Sequence, residues 1–140
     1  MTKEQGKEIR DRVLTWPRVV ELMEQQDPIS LMDIDAEIQE GLARDQIDWH
    51  EAMCVCIASL LRRGRRPMLY DERSGTWQWT DQFTVPEMFG DGPEGIADAA
   101  VTSWVAFGDS GGAEDLRFAT ELPAAGSSVT TQYRKIRGLE

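Results

Sequence analysis

Apolar residues recur at helical spacing through the first sixty positions of the chain. Ile9 and Val13 fall one turn apart among good helix formers, which predicts a helix over residues 4–14. Thr15 precedes Trp16-Pro17 and is placed to cap a second helix, Trp16 to Gln26, striped by Val19, Val20, Leu22 and Met23. Asp27-Pro28 stops it. Ser30 opens a third helix, with Asp33 completing an approximate capping box. Its inward positions are Leu31, Ile34, Ile38 and Leu42, and Gly41 with Ala43-Arg44-Asp45-Gln46 is expected to end it. A fourth helix starts at an Asp48 cap answered by Glu51. It carries one broad apolar face from Trp49 through Ala52, Met53, Cys56, Ile57, Leu60 and Leu61, and Gly64 suits a left-handed terminator.

After Gly64 the period changes from helical to alternating. Pro67–Tyr70 and Thr76–Thr80 are predicted strands, joined by the turn residues Asp71-Glu72-Arg73-Ser74-Gly75 into a hairpin. Pro86, Gly90, Gly92, Pro93 and Gly95 then predict an acidic connector over residues 83–100, with one helical turn near Ile96–Ala100. A second hairpin is expected from Val101–Phe107 and Leu116–Leu122 around a turn at 108–115. A last helix capped by Ser127 or Ser128 would carry Val129, Tyr133 and Ile136 on one face. The division is 1–82, a helical and hairpin domain; 83–100, the connector; and 101–140, a hairpin plus helix. The fold class is α+β.

With 140 residues the chain has length for one compact domain and an appendage, and 41% hydrophobic residues place it among globular sequences. The formal net charge is −10, divided evenly at −5 for residues 1–82 and −5 for 83–140. Such a surface repels a phosphate backbone and argues against non-specific nucleic-acid binding, while leaving room for a local basic patch. The hydrophilic start lacks the apolar stretch of a secretory signal, and no run is long enough to span a bilayer, so a cytoplasmic location without membrane association is expected.

The order over residues 30–80 is helix, short turn, helix, glycine and hairpin with paired tryptophans. Its carriers are Leu31, Ile34, Ile38, Leu42, Ile47, the Trp49–Leu61 stripe, Gly64, Tyr70, Gly75 and Trp77. This order resembles the winged helix-turn-helix superfamily at the level of architecture, over about half of the chain. The resemblance implies that the fourth helix enters a DNA major groove and the hairpin meets the backbone. The start of that helix, Asp48-Trp49-His50-Glu51, is acidic and unfavourable for such a role. The basic residues gather instead at Arg62, Arg63, Arg65 and Arg66, with Arg44 in the preceding turn and Arg73 in the wing.

Trp77 and Trp79 share one strand face and, with these arginines, are of the types that anchor interfaces. The plainer use of both rings is to cover the helices. The expected function is therefore a non-enzymatic regulatory or accessory binding protein acting through protein contacts. A phage- or plasmid-type inhibitor with a nucleic-acid-like acidic surface is one form of it. The alternative is a DNA-binding transcription regulator using Arg62–Arg66 and the wing. The expected partner is a protein, then nucleic acid, with homodimerisation through an edge strand at Val101–Phe107 as a further option.

Three motifs with catalytic or metal-binding overtones are set aside. Gly108-Asp109-Ser110-Gly111-Gly112 resembles the nucleophile string of trypsin-like serine proteases. That chemistry needs a histidine held by an aspartate, and His50 is the single histidine, on a helix of the other half. Cys54 and Cys56 are two apart on a helix, so they diverge and do not make a zinc pair. The acids at 33–37 and 45–51 read as solvated helix faces and caps. No catalytic residue, metal or cofactor is expected.

Overall fold

The computed structural model describes residues 3–90, 92–108 and 116–122. Helices α1 (Lys3–Val13) and α2 (Pro17–Gln25) lead into a two-residue strand β1 (Ile29–Ser30), then α3 (Leu31–Asp45) and α4 (Trp49–Arg62). The hairpin β2 (Arg66–Asp71) and β3 (Thr76–Trp79) follows, then a short α5 (Pro86–Phe89), α6 (Pro93–Phe107) and β4 (Arg117–Ala119). The class is mixed helix and sheet, α+β. The expected C-terminal helix, and the turn over 109–115, lie outside the described residues.

Local chemistry accounts for the starts of α3 and α4. Ser30 Oγ accepts from the Asp33 backbone N–H while Asp33 accepts from the Ser30 N–H, a complete capping box. Asp48 accepts from the Glu51 N–H, and Gly64 (φ +95°) turns the chain from α4 into β2. The start of α2 and the end of α3 differ in detail from what the sequence predicts. Thr15 does not cap α2; its hydroxyl donates back to the Arg12 carbonyl, and Trp16 stands at the cap without a side-chain bond. α3 ends at Asp45 with Gln46 as a left-handed cap, inside the expected stretch, while Gly41 lies within the helix and its bare backbone admits the Trp16 ring, where a Cβ would come within 2.3 Å.

The largest correction concerns residues 83–107. In place of a connector and a strand at Val101–Phe107, α6 is a fifteen-residue helix packed along α4. Pro93 sits in its first turn, where proline costs little. Ala97, Ala99, Ala100 and Val101 are buried against the core. Gly95 is required by close approach, since a Cβ would lie 2.3 Å from the Gly90 carbonyl oxygen. The option of pairing subunits through a strand at Val101–Phe107 falls with this finding.

The sheet is antiparallel in the order β1-β4-β2-β3, so β4 fills the space between β1 and the hairpin. Phe118 stands opposite both Ile29 and Pro67, and it is fully buried in the core with Leu31, Ile34, Met53 and Ile57. Residues opposite one another share a face. Arg117, Met68 and Trp79 therefore lie on the other face, and Trp77 joins Met68 and Ala119 there in a separate apolar cluster. The paired tryptophans do not line the helical core; they build a second layer on the far side of the sheet.

Candidate functional site

The arginines that sit together in sequence have separate fates. Arg65 is 8% exposed. Its Nη2 donates to the Met23 carbonyl at 2.9 Å, and its Nη1 lies 3.8 Å from Asp27, so it fastens the end of α2 to the start of β2. Burial lowers its pKa, with Asp27 acting in the opposite direction and Arg63 adding to the decrease. Arg65 is thus part of the interior and is corrected out of any surface patch. Trp77 is also buried, at 6% exposure. Arg62 is ion-paired with Glu94 at the start of α6. Arg63 and Arg66 are exposed, and the Arg66 guanidinium stacks 4.4 Å from the centroid of the half-buried Trp79 ring.

Arg62, Arg63, Arg66 and Trp79 therefore share the end of the molecule where α4 hands over to β2. Arg44 lies in the last turn of α3, not in the turn after it, beside Trp16, Arg18 and Glu40 in a small cleft away from that group. Arg73 is exposed in the hairpin turn. The acids singled out in the sequence are largely taken up locally. Asp33 and Asp48 cap helices, Asp35 accepts from the Trp49 and Gln39 side chains, and Asp45 accepts from the Trp16 indole.

α4 itself is enclosed. It packs against α1, α3 and α6, and none of its residues from Trp49 to Leu61 is exposed. Trp49 meets Trp104 of α6 with ring centroids 6.0 Å apart.

The same α4–α6 seam gathers a group that sequence reading did not assemble. His50 and Cys54 occupy adjacent turns of α4, and Asp98 projects from α6. The His50 Nε2 lies 2.8 Å from the Asp98 Oδ1, and the Cys54 Sγ completes a set whose ligand atoms are all within 4.8 Å of one another. Thr102, one turn beyond Asp98, donates its hydroxyl to the same Oδ1 at 3.3 Å. The spacing His50–Cys54 at i, i+4 was the signal available in the sequence; Asp98 was hidden because its segment read as loop.

A thiol, an imidazole and a carboxylate within 4.8 Å of one another are the ingredients of a nucleophile with its base. The electrostatics run the other way. The Cys54 thiol is pushed up to about 12, first by burial and then by Asp98, Glu51 and Asp48, whereas reactive thiolates need cationic surroundings. Cys56 is also pushed up to about 12, by burial and then by Cys54. Compared with protein-family models, curated proteins and solved structures, the chain matches none.

Proposed function

We propose that this chain is a non-enzymatic regulatory or accessory binding protein that works through protein contacts on a winged helix-turn-helix-like scaffold. The short α3–α4 turn, the strand β1 just ahead of α3 and the hairpin after Gly64 favour that scaffold. The insertion of β4 between β1 and the hairpin is its departure from the simple pattern. One observation carries the choice of protein over DNA. The helix that would have to enter a major groove has no exposed residue between Trp49 and Leu61. The net charge of −10 adds a general repulsion of phosphates.

The contact surface is the α4–β2 end, where exposed Arg63 and the Arg66–Trp79 stack stand together. Arginine and tryptophan are the residue types that dominate interface energetics, and a guanidinium held over a ring loses little freedom on binding. An acidic or aromatic-bearing segment of a partner protein fits this chemistry.

The test uses immobilised chain, extract from the native host and a labelled duplex in parallel. The proposal expects a discrete protein partner that is retained by the natural chain and lost on Trp79→Ala or Arg63→Glu, with folding unchanged by circular dichroism. Duplex binding at low salt that weakens steeply with added salt and disappears with Arg63→Glu would replace this reading by the DNA-binding one.

A further inference from the structure

We propose that His50, Cys54 and Asp98 form a binding site for a single divalent transition cation of the zinc class, with His50 Nε2, Cys54 Sγ and an Asp98 carboxylate oxygen as ligands. The inference does not depend on how the protein contacts its partner. It rests on three donor atoms of different kinds converging from two packed helices.

Geometry is the first argument. Zinc bonds to nitrogen, oxygen and sulfur place neighbouring donors of a tetrahedral site about 3.3–3.6 Å apart. The three atoms here already lie within 4.8 Å of one another, and the His50–Asp98 pair at 2.8 Å needs only to open slightly. Residues four apart on a helix project from the same side, so His50 and Cys54 form one jaw. Asp98 on α6 forms the other, and the packing of α6 along α4 fixes their separation.

Donor chemistry is the second. Calcium and magnesium select sets made of oxygen, whereas one imidazole, one thiolate and one carboxylate suit a borderline-soft ion such as Zn²⁺ or Co²⁺. All three residues are half-buried, which leaves an entry path and room for water in the remaining position. The Thr102 hydroxyl on Asp98 provides the outer-sphere bond that orients a ligating carboxylate.

Charge also favours a cation here. Cys54 sits among Asp48, Glu51 and Asp98, three carboxylates that act on its sulfur. A site so negative repels a bare thiolate and attracts a dication, and a bound cation reverses the local balance. When the cation binds, the Cys54 S–H bond breaks, its proton leaves to solvent and a metal–sulfur bond forms. Before loading, the His50 Nε2–H donates to Asp98 Oδ1; on loading the imidazole exchanges through solvent to the tautomer protonated on Nδ1, which frees the Nε2 lone pair, and the direct His50–Asp98 contact becomes a metal bridge. No electron is transferred.

The experiment is titration of the full chain with Co²⁺ under reducing conditions, followed by displacement with Zn²⁺. Expected are one equivalent bound, visible bands of four-coordinate intensity and a near-ultraviolet thiolate-to-cobalt charge-transfer band, all abolished by Zn²⁺ and not by Mg²⁺. Cys54→Ser must remove the charge-transfer band while Cys56→Ser keeps it. His50→Ala and Asp98→Asn must each weaken the ion by more than about tenfold, the loss that even an outer-sphere change brings. Circular dichroism of each variant distinguishes lost ligation from lost fold, and the near-isosteric Asp98→Asn and Cys54→Ser keep the fold. Absence of the charge-transfer band at stoichiometric Co²⁺ overturns the proposal. So does its survival in Cys54→Ser, or binding that ignores both His50→Ala and Asp98→Asn.

Discussion

Gly41 occupies a place in α3 that no larger side chain can take without moving a buried indole. A Cβ would lie 2.3 Å from the Trp16 ring, and that ring is held by its N–H donating to Asp45 at 2.7 Å. Gly41→Ala gains up to about 1 kcal/mol of helix propensity and incurs an overpacking cost of about 1–3 kcal/mol. A net loss of up to about 2 kcal/mol in urea unfolding is expected, and in a Trp16→Leu background the same change should become stabilising. Arg63 and Arg65 make a second residue-scale contrast. Arg65→Met removes a charged hydrogen bond to the Met23 carbonyl and should cost about 1.5–3 kcal/mol. Arg63→Glu, on an exposed side chain, should stay within about 0.5 kcal/mol. Equal losses from the two changes would contradict the inward placement of Arg65.

At the scale of elements, legibility followed the range of the interactions involved. The caps of α3 and α4 were readable because Ser30 meets Asp33 and Asp48 meets Glu51, each within one turn of the chain. The hairpin was readable because Gly75, at φ +71°, punctuates two alternating runs. α6 was not readable, since Gly92, Pro93 and Gly95 are loop residues by composition while their use here is set by other elements. Gly95 exists to let the Phe89–Gly90 backbone approach, with a Cβ-to-carbonyl distance of 2.3 Å. Gly95→Ala should therefore cost about 2–3 kcal/mol despite its better helix propensity, because the clash is with backbone that cannot rotate away. The same misreading hid Asp98 and with it the third member of the His50–Cys54 group. Nor could the sequence distinguish which arginine at the end of α4 turns inward, because that depends on Met23 and Asp27 of distant segments.

Across the whole molecule, residues on both sides of position 82 share one core. Phe83, Ala97, Ala100, Val101, Leu116 and Phe118 are buried in the same cluster as Val13, Ile34 and Met53. β4 supplies the strand that joins β1 to the hairpin. Asp27 accepts from the Thr120 hydroxyl at 2.5 Å and pairs with Arg65, so segments 93 residues apart meet at one carboxylate. Phe118→Ala should then cost about 3–5 kcal/mol, the range for a buried aromatic truncated to alanine. The stronger expectation concerns a fragment of residues 1–82. Deprived of α6 it would expose the apolar side of α4, and deprived of β4 it would leave β1 and β2 without their common neighbour. A two-residue strand and an isolated hairpin do not hold together unaided. The fragment should show helical circular dichroism with a broad, non-cooperative urea transition and strong binding of a hydrophobic dye. The full chain should unfold in one cooperative step reported alike by tryptophan fluorescence and circular dichroism. A sharp transition in the fragment, at the same urea concentration as in the full chain, would mean that α4 is stable without the helix now laid along it. The seam that holds His50, Cys54 and Asp98 would then be an optional contact instead of part of the core.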